Sequence, residues 1–362
     1  MTSIFMSPRQ YIQREGILSE AGKYLKEFGR RPLVLGDSLV LSIVRPTLEK
    51  ELPASGLSPC FTLFGEECSL TEVNRLMNLA RQEKVDFIVG TGGGKALDTA
   101  RSLANKMRLP LVTIPTSAAT CSAASAAAVI YEKGVRQETV NGKGADLCLV
   151  DSGIITRAPA KLLAAGMGDA LSKYYEGRPV YDQFKDPDPA TMAALNLSIQ
   201  LRETILKHGL EAYRDVSAQK NSKAAETVIQ TNLLITGAIS SIGGTKFRIA
   251  VAHALLYGLT VLPQMHHNLH GEVVSWGIVV QLCLEKKEEE LEAVLPFFSK
   301  TGIPLTLKKL GFSNVEDPLF WEGLKRTCGK DSPAHNLGLP VDEQKLYKAI
   351  MEADERAKAL EK

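Results

Sequence analysis

The chain has 362 residues, enough for two domains and a sizeable core. Hydrophobic residues make up 44%, as in ordinary soluble globular proteins, and a formal net charge of +2 gives no global electrostatic case for nucleic acid or an anionic membrane as partner. No strongly apolar run reaches transmembrane length, the longest candidate (residues 118–131) being short and rich in Ala and Ser. The first ten residues lack an apolar signal core, and the chain reads as cytoplasmic.

In chain order, residues 31–37 read as a strand running into a turn and 59–64 as a second strand. Residues 70–84 have helical spacing at Leu76, Leu79 and Ala80. Residues 85–89 form a buried strand ending at Gly90, 96–107 a helix, and 109–114 the next strand, stopped by Pro115. This βαβ alternation predicts a parallel sheet with helices on both faces. Residues 126–131 and 135–140 flank Glu132, Lys133 and Gly134 as a hairpin, and 147–151 is the last strand.

From Pro159 onward helical patterns take over, at 159–178, 188–208, 221–240, 246–259, 271–285, 287–301 and 341–361, with no convincing strand. The expected division is therefore an α/β domain over 1–158 and a helical domain over 159–362. Residues 186–189 read as a loop, and the 286–290 charge run as a solvated helix face or helix start. The six cysteines are scattered without a CxxC pair, so neither a zinc finger, a redox dithiol nor a disulfide framework is expected.

Three segments carry chemistry. Gly90, Gly92, Gly93 and Gly94 end an apolar strand and open a helix. Glycines there let a ligand approach the backbone, and the helix N-terminus favours a pyrophosphate; the spacing is G-x-G-G-G, not the Rossmann G-x-G-x-x-G, and a tight strand-to-helix turn explains it too. Asp98, in the first turns of that helix, either meets the cofactor or a polar neighbour or complements the helix dipole. Asp37, after the first of these strands, either bonds a ribose hydroxyl, repelling the 2′-phosphate of NADP, or caps a helix.

Four of the six histidines, His253, His266, His267 and His270, crowd into 18 residues. With Asp169, His253 and His270 make a three-ligand set with an open fourth position, the pattern of a catalytic metal. The rival grouping is His266 with His270, one helical turn apart but without the Glu of H-E-x-x-H.

Taken together, GTGGGKALDTA (90–100), IPTSAAT (114–120), AGMGDALSKYYE (165–176), AVAHALLYGLT (250–260) and His270-Gly271 resemble the iron-containing alcohol dehydrogenase superfamily, within its glycerol dehydrogenase-like group. The resemblance runs from about residue 10 to the C-terminus. It implies a Rossmann-like dinucleotide-binding α/β domain followed by an all-α metal-binding domain, the dehydroquinate synthase-like fold. It implies Asp169, His253 and His270 as ligands of one divalent metal. It implies a cofactor shell of Asp37, Gly92, Gly93, Gly94, Lys95, Asp98, Thr116, Ser117, Ser125 and Tyr131, with NAD favoured over NADP on the strength of Asp37. Iron-using members carry a fourth ligand one turn after the Asp. Lys173 stands there, and an ammonium is no ligand, so zinc is favoured over iron.

Two departures bear on the substrate. Cys121 replaces an Asp that contacts polyol hydroxyls in glycerol dehydrogenases, and Arg248 stands where an apolar residue is expected. Both point toward the hydroxycarboxylate dehydrogenase branch, since Arg248 or Lys173 can pair with a carboxylate. A packing cysteine and a surface or interdomain ion pair explain the two positions as well. The expected activity is NAD(P)-linked interconversion of a secondary alcohol and a ketone, with a 2-hydroxy acid as the small-molecule substrate. The alternatives are a glycerol or other polyol dehydrogenase, a lyase or cyclase related to dehydroquinate synthase, and a non-enzymatic nucleotide-binding protein with a decayed metal site. A homo-oligomer is expected, with neither nucleic acid nor membrane as partner.

Overall fold

The computed structural model describes residues 5–247, 249–312 and 314–361. Eight strands are found among them: β1 (Tyr11–Gln13), β2 (Pro32–Gly36), β3 (Cys60–Leu63), β4 (Phe87–Gly92), β5 (Leu111–Pro115), β6 (Ala127–Glu132), β7 (Val135–Asn141) and β8 (Leu147–Val150). Six form one sheet in the order β1-β8-β5-β4-β2-β3, every pairing parallel, and β6 and β7 form the hairpin.

β2, β4, β5 and β8 are buried at every position. Helices cover both faces, so these strands read as continuous apolar runs rather than alternations. Val34, Val89, Val112 and Leu149 pack with Val44, Leu48 and Leu52 of the Ser38–Ala54 helix. Leu33, Leu35 and Ile88 pack with Val73 and Leu76 of the Leu70–Gln82 helix and with Ala100 and Leu103 of the Gly94–Met107 helix.

From β2 the chain moves outward to β3 and then returns to β4 on the other side of β2. The strand order therefore reverses between β2 and β4, and their carboxyl ends, Gly36 and Gly92, flank a topological switch point. Open parallel sheets bind ligands at that location.

The chain divides into two compact units, Phe5–Ala158 with Gln219–Asn221, and Pro159–Ala218 with Ser222–Lys362. All eight strands lie in the first. The second is helical, and its elements differ from the sequence reading where local chemistry intervenes. The helix expected over 159–178 ends at Tyr175, and Gly177–Tyr181 forms a short separate one. The helix from Pro189 runs on to Ser217, and Asp188 caps it by accepting from Ala190 and Thr191. The stretch expected over 221–240 holds a π-turn at Thr231–Ile235. The helix expected from 246 begins at Val251, since Ala250 has non-helical φ −141° and ψ −125°. Among the described residues, no helix is long and apolar enough to cross a membrane.

Candidate metal centre and dinucleotide cradle

Three helices of the second unit carry the ligand candidates. The Ala160–Tyr175 helix is buried from Leu163 through Tyr175, so Asp169 and Lys173 are ionisable groups inside a core. Asp169 faces the His270–Glu285 helix because the two backbones nearly touch. A Cβ on Gly271 would stand 1.8 Å from the Ala165 carbonyl oxygen, and one on Gly168 would stand 1.7 Å from Ser275 Oγ. The glycine beside each ligand is thus a close-approach residue. The Val251–Leu259 helix docks by the same device, since a Cβ on Gly277 would lie 2.8 Å from Ala252 Cα. That contact places the neighbouring His253.

Asp169 Oδ1 lies 3.7 Å from His253 Nε2 and 3.7 Å from His270 Nε2. One ligand atom from each of the three residues falls within 4.8 Å of the others. Asp169 and His253 are each 4% exposed, whereas the His270 side chain is 31% exposed, so the cluster opens to solvent on the His270 side. Lys173 Nζ donates to Asp169 Oδ1 at 3.1 Å and to Ser172 Oγ at 3.0 Å. On the far side of His253, the Nδ1 edge of the ring meets Glu176 Oε2.

Burial pushes the Asp169 carboxyl up, but the Lys173 ammonium and the neighbouring His253 and His270 imidazoles more than reverse that and hold it well below the usual carboxylate range. Burial likewise raises Glu176, and His253 and Lys173 bring it below its ordinary value. Both groups are anionic at neutral pH.

These residues fit a divalent cation. One carboxylate and two imidazoles are a borderline-hard donor set suited to zinc or iron. Tetrahedral coordination at about 2.0–2.2 Å separates ligand atoms by about 3.3–3.6 Å, close to the two Asp169–His distances. A carboxylate behind a ligand histidine is the usual support of such a site.

The first unit supplies the cradle. β4 ends at Gly92 (φ +124°), where a side chain would be strained, and Gly93 precedes the Gly94–Met107 helix without a side-chain cap. The first N–H groups of that helix are thus left for a ligand. Thr116, after β5, donates its N–H to the Gly92 carbonyl at 3.2 Å, and Ser117 Oγ lies 3.9 Å from where a Gly93 Cβ would be. Asp37, after β2, caps the Ser38–Ala54 helix, Oδ1 accepting from Val40 N–H at 2.8 Å. Lys95 Nζ stands 6.0 Å from the centroid of the half-buried Tyr131 ring, and Ser125 Oγ accepts from Ala127 N–H at 3.0 Å. Asp37, the glycines, Thr116 and Ser117 thus cluster at the carboxyl ends of β2, β4 and β5.

Residues 8–152 match the family model for iron-containing alcohol dehydrogenase. The chain is 34% identical to a glycerol dehydrogenase of Citrobacter freundii over 98% of each chain. The chain belongs to the iron-containing alcohol dehydrogenase family. It is also 32% identical to hydroxycarboxylate dehydrogenase A of Escherichia coli (strain K12), over 71% of this chain and 72% of that one. Its fold overlays the crystal structure of a probable glycerol dehydrogenase from Sinorhizobium meliloti 1021 with a TM-score of 0.90 at 30% identity, covering 99% of this chain and 100% of the other. It is an alcohol dehydrogenase of a metal-binding, nicotinamide-linked family, and its Asp169, His253 and His270 form a group that could hold a metal ion.

Against this family frame the remaining sequence candidates take different places. Asp98 is engaged within the protein: Ser122 Oγ donates to Oδ1 at 2.6 Å, Arg101 donates to the same oxygen at 3.0 Å, and Val129 N–H donates to Oδ2 at 3.0 Å. Cys121 is half-buried and opens the 3₁₀ turn Cys121–Ala124. Arg248 lies outside the described residues. His266, exposed, has Nε2 2.9 Å from the Thr260 carbonyl on the Pro263–His267 turn, and the converging group consists of Asp169, His253 and His270 without it.

Two residues escaped the sequence reading. Glu176 lies seven residues after Asp169, two helical turns along the same face, with Lys173 between them; that i, i+4, i+7 ionisable stripe in an apolar helix was the available signal. Arg101, 0% exposed, left no comparable trace. Burial lowers the pKa of its guanidinium despite the opposing pull of Asp98.

Proposed function

We propose that this alcohol dehydrogenase oxidises the secondary hydroxyl of a small polyol of the glycerol type with NAD, using one zinc ion. The observation that carries the reading is the convergence of Asp169, His253 and His270 in a chain 34% identical, end to end, to a glycerol dehydrogenase. The sequence alone favoured a 2-hydroxy acid, but similarity to glycerol dehydrogenases spans 98% of the chain and that to hydroxycarboxylate dehydrogenase A spans 71%.

Asp169, His253 and His270 would hold the cation, which when bound would supply Lewis-acid polarisation of the alcohol oxygen, and the nicotinamide would supply the hydride acceptor. Asp169 supplies the anionic ligand, and His253 and His270 supply neutral nitrogen ligands. Lys173 occupies the position one turn on and makes no fourth ligand, which favours zinc over iron. Gly93, Gly94 and Lys95 would hold the pyrophosphate, with Thr116 and Ser117 beside it. Asp37 would take the adenosine ribose hydroxyls and repel a 2′-phosphate. Ser125 and Tyr131 complete the proposed shell. None of the six cysteines is in a disulfide, and we place the enzyme in the cytoplasm.

A 2-hydroxy acid remains the second reading, because Cys121 leaves no carboxylate on the turn to contact polyol hydroxyls or to repel an anionic substrate. Lys173 is a poor candidate for holding that anion, as its ammonium is engaged by Asp169 and Ser172. A panel of glycerol, vicinal diols and 2-hydroxy acids, run with NAD and NADP and with and without zinc, tests the proposal. We expect kcat/KM for a polyol to exceed that for every 2-hydroxy acid at least tenfold with NAD, and Cys121→Asp to widen the gap. The opposite ranking transfers the assignment to hydroxy acids, and product formation without net NADH transfers it to a lyase or cyclase.

A further inference from the structure

His253 is useful to a cation through Nε2 alone, and something must decide which ring nitrogen carries the hydrogen. Glu176 is 0% exposed, and among the described residues its carboxylate makes three hydrogen bonds, all to the segment that carries His253. Its Oε1 accepts the N–H of Ala250 at 2.6 Å and of His253 at 3.0 Å. Its Oε2 faces the Nδ1 of the His253 ring. The Val251–Leu259 helix has no side-chain cap of its own. A carboxylate two turns along the Asp169 helix therefore caps the His253 helix from outside and fixes its ring at once.

The two oxygens do different things. Oε1 satisfies amides that would otherwise be orphaned at a helix start. Oε2 is a pure acceptor, so it calls for the hydrogen on Nδ1 and leaves Nε2, on the side of the ring facing Asp169, with a lone pair for a cation held between them.

We propose that Glu176 is the positioning residue of the metal centre: it holds His253 in the Nδ1–H tautomer and sets the ring's approach to the cation, with the helix cap as a separable second role. This rests on reading Asp169, His253 and His270 as metal ligands.

Glu176→Gln separates the roles. The amide oxygen still accepts from Ala250 and His253, while the amide NH₂ meets Nδ1 as a donor and favours the tautomer that cannot ligate through Nε2. Loss of such a supporting carboxylate weakens metal binding by about 10–100-fold. The measurement is the zinc dissociation constant by competition with a chromophoric chelator, alongside the visible absorption of the cobalt-substituted protein and the melting temperature of the metal-free protein. For Glu176→Gln we expect a loss of at least tenfold in zinc affinity and an altered cobalt spectrum, with melting of the metal-free protein shifted by no more than about 3 °C. Glu176→Asp keeps an anionic acceptor and should recover part of that affinity. Zinc affinity within twofold of wild type in Glu176→Gln overturns the proposal. So does an affinity in Glu176→Asp no better than in Glu176→Gln, or failure of both variants to fold, which would make the residue a folding element only. A wild-type protein that binds neither zinc nor cobalt sinks the metal-centre reading itself, a result distinct from any of these.

Discussion

Asp169 and Lys173 pair at 3.1 Å with 4% exposure each, so neither charge is screened by water. Breaking a buried pair from one side leaves the other charge uncompensated and costs about 3–5 kcal/mol. Asp169→Ala should therefore destabilise the metal-free protein by that amount in urea unfolding and abolish activity. Adding Lys173→Met should recover most of the stability and none of the activity. An Asp169→Ala penalty below about 1 kcal/mol would show that the ammonium finds water, contrary to its position here. The three ligand candidates were legible in the sequence because histidine is scarce and its clustering is conspicuous. The partners of Lys173 and the existence of the Glu176 bond were not, because spacing shows which face a residue takes and says nothing of what lies opposite.

At the scale of elements, the Asp98–Arg101 pair joins the Gly94–Met107 helix to the turn bearing Cys121. Ser122 Oγ bonds Asp98, and the buried guanidinium donates to the Ser122 carbonyl. Asp98→Ala should cost about 3–5 kcal/mol, since it strands Arg101, and should weaken NADH binding by loosening the turn. Ser122→Ala removes one hydroxyl and should cost about 1 kcal/mol. If Asp98 instead acts by touching the cofactor, NADH affinity falls in Asp98→Ala while the melting temperature stays put, so the melting temperature decides between the two. The buried strands β2, β4 and β5 and the hairpin were readable from apolar runs, glycines and Pro115. The Ser38–Ala54 helix was obscured by Pro46 and Pro53, and three-residue β1 gives too short a pattern to see. The Pro318–Thr327 helix carries a legible start signal, with Asp317 as cap and Pro318 at its first position.

For the molecule as a whole, the two halves of the chemistry belong to different compact units. The carboxyl ends of β2, β4 and β5 with their glycines lie in one, and Asp169, His253 and His270 in the other. Each site is built from bonds internal to its own unit: Thr116 to Gly92 and Asp37 to Val40 in the first, Lys173 to Asp169 and His253 to Glu176 in the second. Nothing in that wiring makes dinucleotide binding depend on the cation. Exhaustive treatment with a chelator should therefore lower turnover by more than 100-fold while leaving the NADH dissociation constant, read by fluorescence, within about threefold of the zinc-loaded protein. Zinc restored at about 1,000 times its dissociation constant adds about 4 kcal/mol to the native state, and that gain should appear in the melting of the helical unit. Should the chelated protein lose NADH binding along with turnover, the cradle at the switch point would not be a complete binding site, and part of the dinucleotide's hold would have to come from the cation itself.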